Sequence, residues 1–306
     1  MNAEATRKER IFAERLEICG FICYKRVEPA AVFAPMQYIM LFFRCSPIEI
    51  CSLICYNKAS AIYGGENPMR RILITNDDGI TADGLIRLAA AAQKYGEVWV
   101  VAPDAQRSAA SHSITLHSHI DVYPHDFPVA GVHAFSCSGT PGDCVRVGSL
   151  NVMPQKPDAV LSGINYGYNV ASDIQYSATA GGAFEAAFQG YTAISLSEQA
   201  CPCHEVTDAF LDQILAELID RHPDTGQIWN VNFPGCPLAE CKGILRDRRV
   251  SRGMFYRDHY NVTAKLPDGG IRYMIEGDYN EDAEPETDFR AVVENYISIG
   301  IANNIG

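Results

Sequence analysis

The sequence predicts an α/β protein built on a doubly wound, largely parallel sheet. Three observations carry that prediction. Short apolar runs have the length of strands buried on both faces, stretches with helical spacing lie between them, and loops containing glycine or proline stop each run. Strand, helix and strand follow within about 30 residues, the reach of a βαβ unit.

The first strand is Ile72–Thr75, ended by Asn76-Asp-Asp-Gly79. Residues 82–95 read as a helix, with Leu85, Leu88, Ala89 and Ala92 on one face. Val98–Ala102 is the next strand, stopped by Pro103. Ala159–Leu161 leads into Ser162-Gly-Ile-Asn165, and residues 179–189 form a helix of small residues. Ala193–Leu196 is a further strand. Residues 207–221 give an amphipathic helix with Phe210, Leu211, Ile214, Leu215 and Leu218 inward, and Ile228–Phe233 is a strand closed by Pro234. Past residue 243 the pattern weakens into polar, strand-like pieces such as Ile271–Ile275. Three parts follow: an amino-terminal extension over 1–68, an α/β core over 69–242, and a β-rich extension over 243–306 assigned to oligomer contacts.

Residues 1–68 show no clear period. The apolar run from Ala30 to Phe43 falls short of the roughly 20 residues a spanning helix needs. Acidic residues such as Glu4, Glu9, Glu14 and Glu17 argue against a secretory signal. Met69-Arg-Arg71 opens directly onto the first strand, so the natural protein is expected to start at Met69. The 11 cysteines are odd in number and irregularly spaced, which points to reduced thiols and a cytoplasmic protein. Cys201-Pro-Cys-His204 reads as a loop; a zinc site there would need Cys236 and Cys241 as further ligands. The formal net charge of −12 offers no counterion-release surface for a nucleic-acid polymer, and no segment calls for a membrane. A small phosphorylated substrate stays open, because a bound cation inverts the local field.

In open α/β sheets ligands bind beyond the carboxyl ends of the strands. The first strand delivers Asn76, Asp77, Asp78 and Gly79 there. The second delivers Pro103, Asp104, Arg107, Ser108 and Ser111, and the third Ser162, Gly163, Asn165, Gly167 and Asn169. Oxygen ligands of this kind suit Mg²⁺ or Mn²⁺. Adjacent carboxylates repel unless a cation or a proton intervenes. Gly139-Thr-Pro-Gly-Asp143 allows close backbone approach, with Asp143 capping a helix, and the backbone amides of Gly139 and Thr140 are candidates to cradle a phosphoryl group. Tyr176-Ser-Ala-Thr179, before the small-residue helix, reads the same way, which adds Ser177 and Thr179. Of the histidines, His112 beside Ser108 and Ser111 is the candidate proton donor to a leaving oxygen.

Taken in order, Arg71-Ile-Leu-Ile-Thr-Asn-Asp-Asp-Gly79, Ala102-Pro-Asp-Ala-Gln-Arg-Ser108 with Ser113-Ile-Thr115, Gly139-Thr-Pro-Gly-Asp-Cys-Val145, Ser162-Gly-Ile-Asn165 with Asn169, and Tyr176-Ser-Ala-Thr179 resemble the SurE family of stationary-phase survival proteins, which are 5′/3′-nucleotidases. The resemblance runs from Met69 to about Ser298. It implies a Rossmann-like domain, a homodimer or homotetramer, and one divalent metal ion per subunit on Asp77, Asp78, Ser108 and Asn165. It also implies hydrolysis of nucleoside 5′- and 3′-monophosphates, and of short polyphosphate. Asp77, Asp78 and Ser108 are then the catalytic group, with Asp77 the carboxylate best suited as base. Asn76, Ser111, Gly139, Thr140, Asn169, Ser177 and Thr179 form the candidate phosphate site. Ala178 stands where the family has glycine, Gly142 where it commonly has alanine, and Gly300–Gly306 departs from the family's closing sequence, as a truncated or frame-shifted tail would.

Two other readings compete. A phosphatase forming an aspartyl-phosphate needs a second Asp two residues after the nucleophile, where this chain has Gly79. A non-catalytic, flavodoxin-like module binding nucleotide or metal would share the fold and lack turnover.

Overall fold

The computed structural model describes residues 69–280 and 282–305, and before them only a short antiparallel pair, Leu16–Ile18 with Phe21–Cys23. The chain divides into two units, Met1–Gly65 and Glu66–Gly306, and the sheet and the site belong to the second. The expected start at Met69 and the extension over 1–68 otherwise lie outside the described residues.

Along the second unit run β1 (Arg71–Thr75), α1 (Asp83–Ala92), β2 (Glu97–Pro103), β3 (Val122–Pro124), β4 (His133–Cys137), α2 (Pro141–Val147), β5 (Ala159–Tyr166), α3 (Ala178–Phe188), β6 (Thr192–Glu198), α4 (Glu205–Leu218), β7 (Gln227–Phe233), β8 (Ile244–Leu245), β9 (Tyr256–Lys265), β10 (Ile271–Tyr279), α5 (Asp288–Val293) and β11 (Ile297–Asn303). One sheet holds nine strands in the order β8-β11-β7-β6-β5-β1-β2-β4-β3. The pairs from β7 across to β4 are all parallel, while β11 and β3 meet their inner neighbours antiparallel.

Side chains alternate across this sheet, so each face buries its own core. Ile72 and Ile74 of β1 pack with Leu85 and Leu88 of α1 and with Leu211, Ile214 and Leu215 of α4. Leu73 faces the other way, into a core with Cys144 and Val145 of α2 and Ala183 and Phe184 of α3. The small residues of α3, nearly all buried, let that helix lie close against the sheet.

Strands β3 and β4 are absent from the sequence reading, because His133-Ala-Phe-Ser-Cys137 is only half apolar and sits near the sheet edge. Past residue 243 the chain contributes to the main sheet as well as to the ribbon. β8 and β11 return to the main sheet, with Ser298 opposite Asn232 and Asn303 opposite Gln227, so the unusual tail closes the core. The β9–β10 ribbon forms a separate two-stranded sheet. The cap of α2 differs too: Thr140 is the N-cap and Asp143 is the third helical residue, together forming a reciprocal capping box.

Candidate active site

The strand order reverses between β1 and β5. From β1 the chain builds outward through β2 and β4, then returns to place β5 on the other flank and continues through β6 and β7. The carboxyl ends of β1 and β5 therefore border a crevice at the switch point, where α/β sheets bind ligands.

The turn after β1 is closed by its own asparagine. Asn76 is fully buried; its Nδ2 donates to the Gly79 carbonyl at 3.0 Å and its Oδ1 accepts from the Gly79 amide at 3.2 Å. Gly79 has φ +101°, a conformation that costs little only without a Cβ. Asn76 thus shapes the turn through both ends of its side-chain amide. Asp77 and Asp78 leave the turn toward different partners.

Asp77 is 4% exposed, and its Oδ1 accepts the Thr179 hydroxyl at 2.6 Å. Burial raises its pKa from 3.8 to about 6; the Thr179 hydroxyl opposes the rise and the charge on Asp78 adds to it. Asp78 is half-buried and accepts the Tyr166 amide at 3.0 Å, and burial raises its pKa as well. Both carboxylates thus carry elevated proton affinity side by side, and their hydrogen bonds come from neutral donors.

Backbone contacts bring the other two strand ends alongside. The Arg107 amide donates to the Asp77 carbonyl at 2.7 Å, which sets Ser108 beside the carboxylate turn. Ser108 is exposed, and its Oγ accepts from Gln106 Nε2 at 2.9 Å. Asn165 precedes the residue whose amide holds Asp78. The β5–β6 register shifts between Ser162 and Asn165, which re-aims the strand end. Asn165 Nδ2 donates to the Gly167 carbonyl at 2.8 Å, leaving its carbonyl oxygen as the end not held by the loop.

The remaining candidates separate by what occupies them. The Ser111 amide donates to the Tyr176 carbonyl at 3.0 Å, so the 109–113 loop lies over the start of α3. That approach requires Gly181, where a Cβ would sit 2.7 Å from the Ser111 carbonyl oxygen. Ser177 is the N-cap of α3 and accepts the Ala180 amide at 2.9 Å. Ala178 is fully buried, so its methyl group is absorbed in packing. Thr140 commits its amide to Asp143 Oδ2 at 3.0 Å and its hydroxyl to the Ser113 carbonyl at 2.6 Å, and the Gly139 amide turns to Cys137 Sγ at 3.4 Å. Asn169 is buried between strands, with Nδ2 on Ser197 Oγ at 2.8 Å and its amide on Asn232 Oδ1 at 2.8 Å. Gly139, Thr140 and Asn169 thus commit these groups to the scaffold. His112 has partners of its own: Nε2 meets Glu185 at 2.9 Å, Nδ1 meets Asn304 at 3.1 Å, and the ring stacks on Phe188, so it braces the loop.

Three roles escaped the sequence reading: Thr179 as hydroxyl donor to Asp77, Tyr166 as the amide that pins Asp78, and Glu198 at the end of β6. The strand-end rule applied to β6 points to Glu198; the sequence marks Thr179 only as a phosphate-site candidate, and nothing in it marks the Tyr166 amide.

Asp77, Asp78, Ser108 and Asn165 carry two carboxylates, a hydroxyl and an amide carbonyl, oxygen groups of the kind that suits a hard divalent cation. Among the described residues no three His, Cys, Asp or Glu side chains converge as a metal cage, the thiols at Cys201, Cys203, Cys236 and Cys241 included.

The family model for survival protein SurE matches residues 72–254. A 5′-nucleotidase SurE of Thermosipho melanesiensis is 38% identical over 231 residues, covering 74% of this chain and 89% of that protein. A 5′/3′-nucleotidase SurE of Salmonella arizonae is 40% identical over 232 residues, covering 75% and 88%. The crystal structure of the SurE protein from Aquifex aeolicus superposes with a TM-score of 0.64 at 31% identity, covering 76% of this chain and 93% of that one.

Proposed function

Because the chain belongs to the survival protein SurE family, we propose that it is a metal-dependent nucleotidase that hydrolyses nucleoside 5′- and 3′-monophosphates to nucleoside and phosphate, and also short polyphosphate. The observation that carries this reading is the buried Asp77 carboxylate beside the half-buried Asp78 at the switch point, where burial raises the Asp77 pKa to about 6. Asp77, Asp78, Ser108 and Asn165 are the residues that would hold one Mg²⁺ or Mn²⁺. When bound, that ion supplies Lewis-acid polarisation of a phosphoryl oxygen and a nucleophile drawn from water at neutral pH.

The chain's own residues do the rest. Thr179 fixes the orientation of Asp77 through its 2.6 Å hydrogen bond and favours the ionised carboxylate at working pH. Asp77 is also the carboxylate that takes a proton from the attacking water. Thr179 in the first turn of α3 touches Asp77, which brings the amino end of that helix to the crevice, where helix ends favour phosphate oxygens. Ser111, held over that end by Tyr176, bounds the phosphate site from the loop side.

The β9–β10 ribbon exposes Tyr260, Val262, Tyr273, Met274 and Ile275, an apolar set that fits a contact with another copy of the chain. A dimer or tetramer is therefore part of the reading, checked by light scattering on the intact protein. The irregular, odd set of thiols favours a reducing compartment such as the cytoplasm. Among the described residues no helix is long and apolar enough to cross a membrane. Phosphate release from a panel of nucleoside monophosphates and tripolyphosphate, with Mn²⁺, with Mg²⁺ and with chelator, tests the activity. Release that chelator leaves untouched would overturn metal dependence, and no release from any nucleotide would overturn the nucleotidase reading.

A further inference from the structure

A second feature adjoins the carboxylates. On the α1 and α4 side of the sheet lies a cleft of about 350 Å³, lined by Asp78, Ala82, Gln106, Tyr166, Glu198 and His204. It is continuous with the catalytic loops, since Asp78 is one of the paired carboxylates and Gln106 bonds Ser108. Its volume lies near the lower end of the range for small-molecule sites, roughly 300–1,000 Å³.

Two side chains give the cleft a chemical character. Tyr166 is 56% exposed, although its backbone is tied to Asp78 at 3.0 Å, so an aromatic face is held beside the reacting centre. Glu198 stands opposite Tyr166 in the β5–β6 ladder and is only 3% exposed. Its Oε1 is held by Arg87 and by His204 Nδ1, the latter at 3.0 Å, and Arg87 is fixed in turn by Asp83 and Asp208. Its Oε2 has no hydrogen-bond partner among the described residues. A buried acceptor left open is costly unless something donates to it.

We propose that this cleft is the nucleoside subsite, in which Tyr166 stacks on the nucleobase and Glu198, ordered by Arg87 and His204, accepts a hydrogen bond from a base N–H. A rigid aromatic face binds any base through its π-surface. The acceptor edge selects bases that present amino or imino donors, and guanine offers two adjacent ones. The inference rests on the nucleotidase reading and adds where the non-phosphate half of the substrate sits.

The test compares Tyr166→Ala and Tyr166→Phe on GMP and on glycerol phosphate, a phosphomonoester without a base, with Mn²⁺ present. Base stacking on an aromatic side chain is worth about 1–3 kcal/mol, or roughly 5- to 150-fold. Tyr166→Ala, which keeps the backbone amide on Asp78, is expected to raise KM for GMP within that range with kcat little changed, to leave glycerol phosphate within about twofold on the same grounds, and to be rescued by Tyr166→Phe. Equal losses on both substrates, or no loss on GMP, would overturn the subsite. Calorimetric titration with guanosine reads it without turnover. Weaker binding to Tyr166→Ala than to wild type supports the proposal, and unchanged or absent guanosine binding refutes it. Absence of metal-dependent phosphate release from wild type on both substrates would instead sink the nucleotidase reading.

Discussion

The substitution Asp77→Asn separates what the site costs the fold from what it does in turnover. Burial lifts the Asp77 pKa from 3.8 to about 6, a change in proton affinity of slightly more than two powers of ten. That is worth about 3 kcal/mol. The sign follows from proton counts. Between the two values the folded protein holds the proton that the unfolded chain has released. The protonated carboxyl's contribution is therefore fully present below about 3.8 and is lost as pH rises through about 6. Roughly half of the ~3 kcal/mol disappears between pH 5 and pH 8. The amide introduced by Asp77→Asn does not titrate, so in chelator the variant should unfold at a higher temperature than wild type at pH 8. The gap should widen by about 3–6 °C from pH 5 to pH 8 for a unit of this size. Mn²⁺ should raise the melting temperature of wild type at pH 8 and leave the variant nearly unmoved, while phosphate release by the variant falls to background. A pH-independent gap in thermal unfolding, or equal stabilisation of both proteins by Mn²⁺, would refute the argument that a buried, uncompensated carboxylate awaits a cation.

Thr179→Val removes the 2.6 Å hydrogen bond to Asp77 while keeping the shape, and a bond to a charged acceptor is worth ~1.5–3 kcal/mol. Mn²⁺ affinity at pH 7.5, measured by calorimetry, should drop by roughly 10- to 100-fold, more steeply at lower pH. Gly181→Ala puts a Cβ 2.7 Å from the Ser111 carbonyl oxygen and must push the 109–113 loop off α3. Overpacking of this kind costs about 1–3 kcal/mol, and kcat/KM should fall with the fold intact by circular dichroism. Asp288→Ala tests the scaffold: the buried carboxylate accepts the Ser251 amide at 2.9 Å, the Phe289 amide at 2.7 Å and the Ala171 amide at 3.1 Å. Orphaning those donors should destabilise the protein by at least ~3 kcal/mol in urea unfolding.

Much of this molecule was legible because its signals are local. The runs Ile72–Thr75 and Val98–Ala102 are strands for reasons contained in their own composition, and the observed strands Arg71–Thr75 and Glu97–Pro103 extend them by only a residue at an end. Asp77, Asp78, Ser108 and Asn165 could be proposed as one group because strand ends in such a sheet converge at one edge. Hydrogen-bond commitments could not be named in the same way. Thr140 and Ser177 look like phosphate ligands in sequence, yet as N-caps they are drawn on by their own helices. His112 is next to Ser111 in the chain, but its ring follows Glu185 and Asn304, which are 73 and 192 residues away.

Residue type and short spacing were enough for the βαβ grammar, the paired carboxylates and the oxygen-rich donor chemistry, because each of these is a property of a few neighbouring positions. Long-range packing had to settle the rest: the carboxy-terminal strands re-enter the main sheet, burial and Thr179 tune Asp77, and Tyr166 and Glu198 share the wall of one cleft. Those outcomes depend on which segments become neighbours and how much water remains between them, and neither is encoded at any single position.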